Sequence, residues 1–276
     1  MKIKQITGAV ALCVGAAMSL PASAASIANV DGSFSPWAGF DWQSAGTAFT
    51  TGFTGATGSN FDLTVFAVAG ALNKLPTGTF TAFDGLLRMD TSADGVSAGL
   101  NAYEYTLVAN VTEQVVSCTL TECTFNILSG VFDIYYDTTP EANGLSGGLG
   151  TGYTDGVKII SGTFGAQTGG TFTTSGNGSN STTVVGTVTF TNALYVNPQL
   201  ATTNATTTLQ LGNAITSGWV NPGGFNGVAF GAGEIVMQAD ANQGFTERVP
   251  EPGTLSLLAL ALLGGGAAAR RRKTQQ

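Results

Sequence analysis

The sequence predicts an all-β protein, a single antiparallel β-sandwich-like domain. Period-two alternation of apolar and polar residues recurs along the middle of the chain, whereas helical periodicity is almost absent there. Gly (39 residues) and Thr abound, and only 10% of all residues are charged, a composition that favours strands and turns with an uncharged, hydroxyl-rich surface. Candidate strands are short and widely spaced, as in a sandwich, and they are separated by stretches rich in Gly, Asn and Ser.

The chain opens with a processing segment. Lys2 and Lys4 form a positive region, residues 6–20 an apolar one, and Ala22-Ser23-Ala24 an A-x-A cleavage site. These are the three parts of a secretory signal peptide, so residues 1–24 are expected to be removed by signal peptidase after Ala24. Cys13 lies in the apolar region, away from the cleavage site, and is expected to leave with the signal. Residues 25–248 then form one extracellular domain, long enough to bury a sizeable core.

Within that domain the clearest strand is 103–111, where Tyr103, Tyr105, Leu107, Ala109 and Val111 share one face. With 114–118 and 124–137, where Phe132, Ile134 and Tyr136 share a face, it predicts a meander. Further strands are expected at 61–69, 78–83, 157–164, 182–190, 206–211 and 233–239. Residues 141–152 and 174–181 read as turns. The tripeptide Gly-Thr-Phe recurs at Gly78, Gly162 and Gly170 without a fixed period, which disfavours a solenoid. Cys118 and Cys123 are the two cysteines left after signal removal. In an oxidising compartment they are expected to form a disulfide that pins the tightest turn of the meander. A redox or metal role fits poorly, because Glu122 disfavours a thiolate and no cation lies nearby.

Residues 25–250 hold 16 of the 17 acids but only Lys74, Arg88, Lys158 and Arg248 among the bases, a net charge of −12. Nucleic acid is excluded as a partner, since a polyanion needs clustered cations to displace its counterions. The chain contains no His, which removes the Ser-His-Asp triad, the Cys-His pair and His-based zinc sites. No catalytic residue and no metal ligand is assigned, and a non-enzymatic protein without a cofactor is expected. Asp133 with Asp137, or Glu104 with Glu113, are the carboxylate pairs an alternative polysaccharide-active enzyme would use, but Glu104 and Asp133 read as a solvated strand face. Asp90-Thr91-Ser92-Ala93-Asp94-Gly95 begins like a calcium loop. Its twelfth position is Asn101 and not the bidentate Glu that an EF-hand requires, so a plain turn is preferred to a looser calcium site at Asp90 and Asp94. Trp37, Trp42 and Trp219 lie near Asn, Asp and Gly. They are candidates for stacking on sugar rings, with core packing as the stronger alternative.

Residues 249–276 combine Pro250-Glu251-Pro252, an apolar run from Leu255 to Ala269, and the cations Arg270, Arg271, Arg272 and Lys273. As a helix, the run of 15 residues would span only about 22 Å of a hydrocarbon core about 30 Å thick, a marginal anchor in the inner membrane. The cations behind it act as a stop signal and should remain cytoplasmic, leaving the preceding domain outside. This order of motif, short helix and basic tail resembles the PEP-CTERM family of exported proteins. The resemblance implies recognition of Pro250, Glu251 and Pro252 by exosortase, transient inner-membrane anchoring, and release to the cell surface or extracellular matrix.

A softer resemblance concerns the body. Phe132-Asp133-Ile134-Tyr135-Tyr136-Asp137, the stretch 153–162 and Gly39-Phe40-Asp41-Trp42 resemble parts of flocculation-associated PEP-CTERM proteins. That resemblance implies a non-catalytic protein that supports biofilm or floc formation with extracellular polysaccharide as its partner.

Overall fold

The computed structural model describes residues 25–28, 34–72, 104–139, 141–142, 148–173, 179–200, 203–212 and 219–246. The expected signal peptide, the expected strand 78–83, the Asp90 loop and residues 247–276 lie outside the described residues. The strands are β1 (Ser26–Ala28), β2 (Phe34–Pro36), β3 (Gly39–Thr51), β4 (Asn60–Leu72), β5 (Glu104–Cys118), β6 (Glu122–Asp137) and β7 (Val157–Phe164). They continue with β8 (Gln167–Thr173), β9 (Ser179–Thr191), β10 (Val196–Asn197), β11 (Asn204–Gly212), β12 (Gly224–Phe225), β13 (Val228–Ala229) and β14 (Ile235–Thr246).

The main sheet is antiparallel and runs β11-β14-β3-β4-β5-β6-β7-β9-β8, with β11 also paired to β9 along nine residues from Asn204↔Thr187 to Gly212↔Ser179. The all-β, sandwich-like architecture therefore has its two edges joined into a ring, with opposite walls facing one another across a common core. Strands β7 and β8 are collinear. β6 pairs with β7 from Tyr136↔Val157 to Gly130↔Phe164 and then with β8 from Ile127↔Gln167 to Glu122↔Thr173. Gly165 and Ala166 interrupt what is otherwise one long strand.

Alternation sets the inner face. On β5, Tyr105, Leu107, Ala109, Val111, Glu113 and Val115 are all buried, and the odd positions Phe61 to Ala69 of β4 face the same core. The sequence pattern at 103–111 thus belongs to a longer strand than expected, one that also takes in 114–118. Aromatic rings fill the interior near the start of β3: Phe40 stacks on Trp42 at 4.8 Å between centroids and meets Trp37 at 5.0 Å and Tyr105 at 5.4 Å. The small sheet β10-β1-β2 joins this region through the fully buried Ile27 and Val196.

Glycine is required where β7 crosses the core. A Cβ on Gly162 would lie 2.3 Å from the Phe132 ring and 2.7 Å from the Thr187 carbonyl oxygen, so only a residue without one lets these strands approach. A second, smaller cluster lies on the outer face. Phe66 and Val108 are covered there by Ala142 and Tyr153 and by Phe225 of the β12–β13 hairpin. Phe225 stacks on Phe66 at 4.7 Å, delivered by a two-residue Asn226-Gly227 turn in which both residues have positive φ.

Candidate functional site

The candidate tryptophans separate. Trp37 and Trp42 are 2% and 0% exposed, Trp37 packing against Phe40 and Phe245 and Trp42 against Phe40, so they are core anchors and cannot stack on a sugar from solvent. Alternation puts Phe40 and Trp42 on the inner face of β3, which decides between the two readings. Trp219 is half-buried, and its indole N–H donates to Thr47 Oγ1 at 3.2 Å.

The carboxylates do not form the imagined pairs. Glu104 and Glu113 stand nine residues apart on β5, about 30 Å at strand rise, and on opposite faces. Glu104 does lie opposite the aromatic face, but it is buried, not solvated, which corrects the expectation. Its Oε1 accepts the backbone N–H groups of Glu141 and Ala142, each at 3.0 Å, and so holds the segment after β6 against the barrel wall. Burial pushes this carboxyl up to about 7 against the pull of those two donors, with nearby Asp137 and Asp155 adding to the rise.

Asp133 has its own partners. It is salt-bridged to Lys158 at 2.8 Å, the one base among the described residues, and accepts a hydrogen bond from Ser161. Asp137 instead lies with Glu141 and Asp155, their carboxylate oxygens within 4.8 Å of one another, a grouping that sequence separation concealed. A hydrogen bond with Asp155 and its charge raise the exposed Glu141 above the usual carboxylate range.

Cys118 and Cys123 face each other across the β5–β6 turn and form the expected disulfide. Thr119 completes this turn. Its hydroxyl accepts the N–H of Glu122 at 3.1 Å, and its backbone N–H donates to the Glu122 carbonyl at 2.8 Å.

The outer face of β7, β9, β11 and β14 is a broad polar surface. Its rows run across strands: Thr163, Thr187 and Asn204; Thr183, Thr208 and Asn242; Ser181, Gln210 and Asp240. Asp240 is the one ionisable group in these rows. Side chains here alternate with the buried Val184, Val188, Ala205 and Leu211, so the pleat presents hydroxyls and amides outward, with the exposed Val185 standing among them opposite Thr206. Asn110, Thr112, Gln114 and Asn126 on β5 and β6 also face outward, so the hydroxyl- and amide-rich character expected from composition is not confined to this wall.

The C-terminal segment is assigned by comparison. The model of the PEP-CTERM protein-sorting motif matches residues 248–273, which contain Pro250-Glu251-Pro252, the apolar run and the Arg270 to Lys273 cluster. The chain carries a PEP-CTERM sorting motif. It is accordingly an exported protein sorted through exosortase, and the PEP-CTERM match leaves residues 25–247 unassigned. No curated protein and no solved structure matches the chain.

Proposed function

We propose that this PEP-CTERM protein is a non-catalytic component of the cell surface or extracellular matrix that helps cells and exopolysaccharide cohere in a biofilm or floc. The observation that carries the reading is the Thr-, Ser-, Asn- and Gln-covered wall of β7, β9, β11 and β14 on a protein addressed for export. A neutral polysaccharide offers many hydroxyls and few charges. An outward lattice of hydroxyls and amides can meet it with many weak hydrogen bonds that sum through multivalency. The net charge of −12 over residues 25–250 suits a neutral or calcium-bridged polymer and repels an acidic one.

The non-catalytic part of the reading is supported by how the carboxylates are placed: Glu104 holds the Glu141 and Ala142 N–H groups, Asp133 is salt-bridged to Lys158, and Glu113 lies on the opposite face of β5 from Glu104. Glu104 stands across the β5–β6 ladder from Asp137, but its Oε1 is taken up by two backbone N–H groups. The test compares a deletion strain with strains complemented by the natural chain and by a Thr183→Lys, Thr208→Lys double variant. Deletion is expected to reduce aggregation, the natural chain to restore it, and the double variant to be secreted but fail to restore it. Intact aggregation on deletion would refute the adhesive role, and loss of polymer degradation on deletion would favour an enzyme.

A further inference from the structure

The barrel interior is not filled evenly. Near the Cys118–Cys123 turn it contains a cavity of about 110 Å³ whose wall is apolar apart from Thr50, Thr182 and Glu113. Ile235, 42% exposed, contributes to the lining, so the cavity reaches the surface at this end. Cavities of this order are roomy enough for one aromatic ring and, where mostly apolar, accept small apolar guests. Eight-stranded barrels are also wide enough to hold one small ligand.

Glu113 is the feature that gives this cavity a chemistry. It is 7% exposed, sits at the inward position of β5 and lines the cavity. Its strand neighbours are Phe61 on β4 and Ile127 on β6. Gly169 of β8 faces it with no side chain at all, and a Cβ there would stand 3.2 Å from Glu113 Oε1. Among the described residues no donor and no cation reaches the carboxylate, and no other ionisable side chain lines the cavity, Cys123 being held in the disulfide. An isolated buried carboxylate is costly unless something pairs with it.

The wall beside the cavity is also unusual. Strands β8 and β9 share a single ladder pair, Thr173↔Ser179, although each is paired along most of its length on its other side. The Gln167 side chain bridges the far end of this seam by donating to the Val185 carbonyl at 2.8 Å and accepting the Val185 N–H at 2.9 Å. Phe172 on β8 and Thr182 and Val184 on β9 line the cavity from the two sides of the seam.

We infer that the cavity is a binding site for a small apolar amine, its hydrocarbon body held among Phe61, Phe125, Leu209 and Met237 and its ammonium group paired with the Glu113 carboxylate. A cationic head satisfies the one charge in the wall, and a body of one ring matches the volume. Burial raises the Glu113 carboxyl to about 7, so the ionised fraction rises from about one tenth at pH 6 to about nine tenths at pH 8, while an alkylammonium keeps its charge. Affinity for an amine therefore rises about tenfold across that range.

The test is calorimetric titration of the intact secreted protein with benzylamine, benzyl alcohol and toluene at pH 6 and pH 8. Benzylamine is expected to bind about tenfold more tightly at pH 8 than at pH 6, and the two neutral probes equally at both. Glu113→Gln should remove the pH dependence and the preference for the amine while leaving toluene binding in place. Leu209→Trp should fill the cavity and abolish binding of all three. Absence of benzylamine binding at pH 8, or benzylamine binding unchanged in Glu113→Gln, which is the signature of adsorption to the acidic surface, would overturn the inference.

Discussion

Replacing Glu113 with Gln is expected to stabilise the protein, and to do so only above acidic pH. The carboxyl titrates at about 7 in the folded chain, raised from 4.5 by burial. Below pH 4.5 it is protonated in both folded and unfolded chains, and burial carries no charge penalty. Between the two values the unfolded chain ionises while the folded chain holds its proton, so stability falls as pH rises. Above 7 the full difference applies, about 2.5 units at about 1.4 kcal/mol each, or roughly 3 kcal/mol. Gln keeps the shape and does not titrate. The variant should therefore match the natural chain near pH 4.5 and exceed it by roughly 3 kcal/mol at pH 8, equivalent to about 6–12 °C in Tm for a domain of this size. Glu104 titrates equally in both proteins and cancels in the comparison. Urea unfolding of the two secreted proteins from pH 4.5 to 8, without added ligand, measures the gap. A gap independent of pH, or a variant less stable at pH 8, would refute the reasoning.

Other perturbations probe the frame around the cavity. Glu104→Ala removes the acceptor of the Glu141 and Ala142 N–H groups, and hydrogen exchange at Ala142 should accelerate by about tenfold or more, the equivalent of one lost hydrogen bond. Gly162→Ala forces a methyl onto the Phe132 ring and the Thr187 carbonyl, and should lower the urea stability by about 1–3 kcal/mol as an overpacked core does. Replacing both Cys118 and Cys123 by Ser should cost about 2 kcal/mol, because the closed loop is short; an unchanged Tm would show that the hydrogen bonds of Thr119 hold the turn alone.

Much of the strand content was legible because alternation is a local signal. Val157–Phe164 lies where the pattern places it, and Tyr105 to Val111 face inward as their spacing requires. The ring closure was not legible, since a half-buried strand reads the same in an open sandwich and in a barrel, and the β9–β11 pairing is a long-range choice. β8 was missed because Gln167-Thr168-Gly169-Gly170 carries too little hydrophobicity to reveal an inward face. The segment 174–181 was read wholly as a turn, although β9 already begins at Ser179.

The site residues follow the same logic. Glu113 has the parity of Tyr105, Leu107, Ala109 and Val111, so continuing the alternation two residues further would have placed it inside. The burial of Glu104 could not be read this way, because the cover over the outer wall comes from residues 141–142, far along the chain.

Closure of the sheet also fixes an order of events. β14 is the last strand of the barrel and fills the gap between β3 and β11, with Gly39 pairing to Gly244 more than two hundred residues later. Until that strand is in place, the ladders of β3 and β11 each lack a partner, and they are the strand edges on which other chains can add. Ring closure therefore waits on the last strand, and the fold is complete only when nearly the whole chain is available to it. Proteolytic trimming of the C-terminus far enough to remove β14 would turn a closed ring into one with two open edges, each able to pair with another chain.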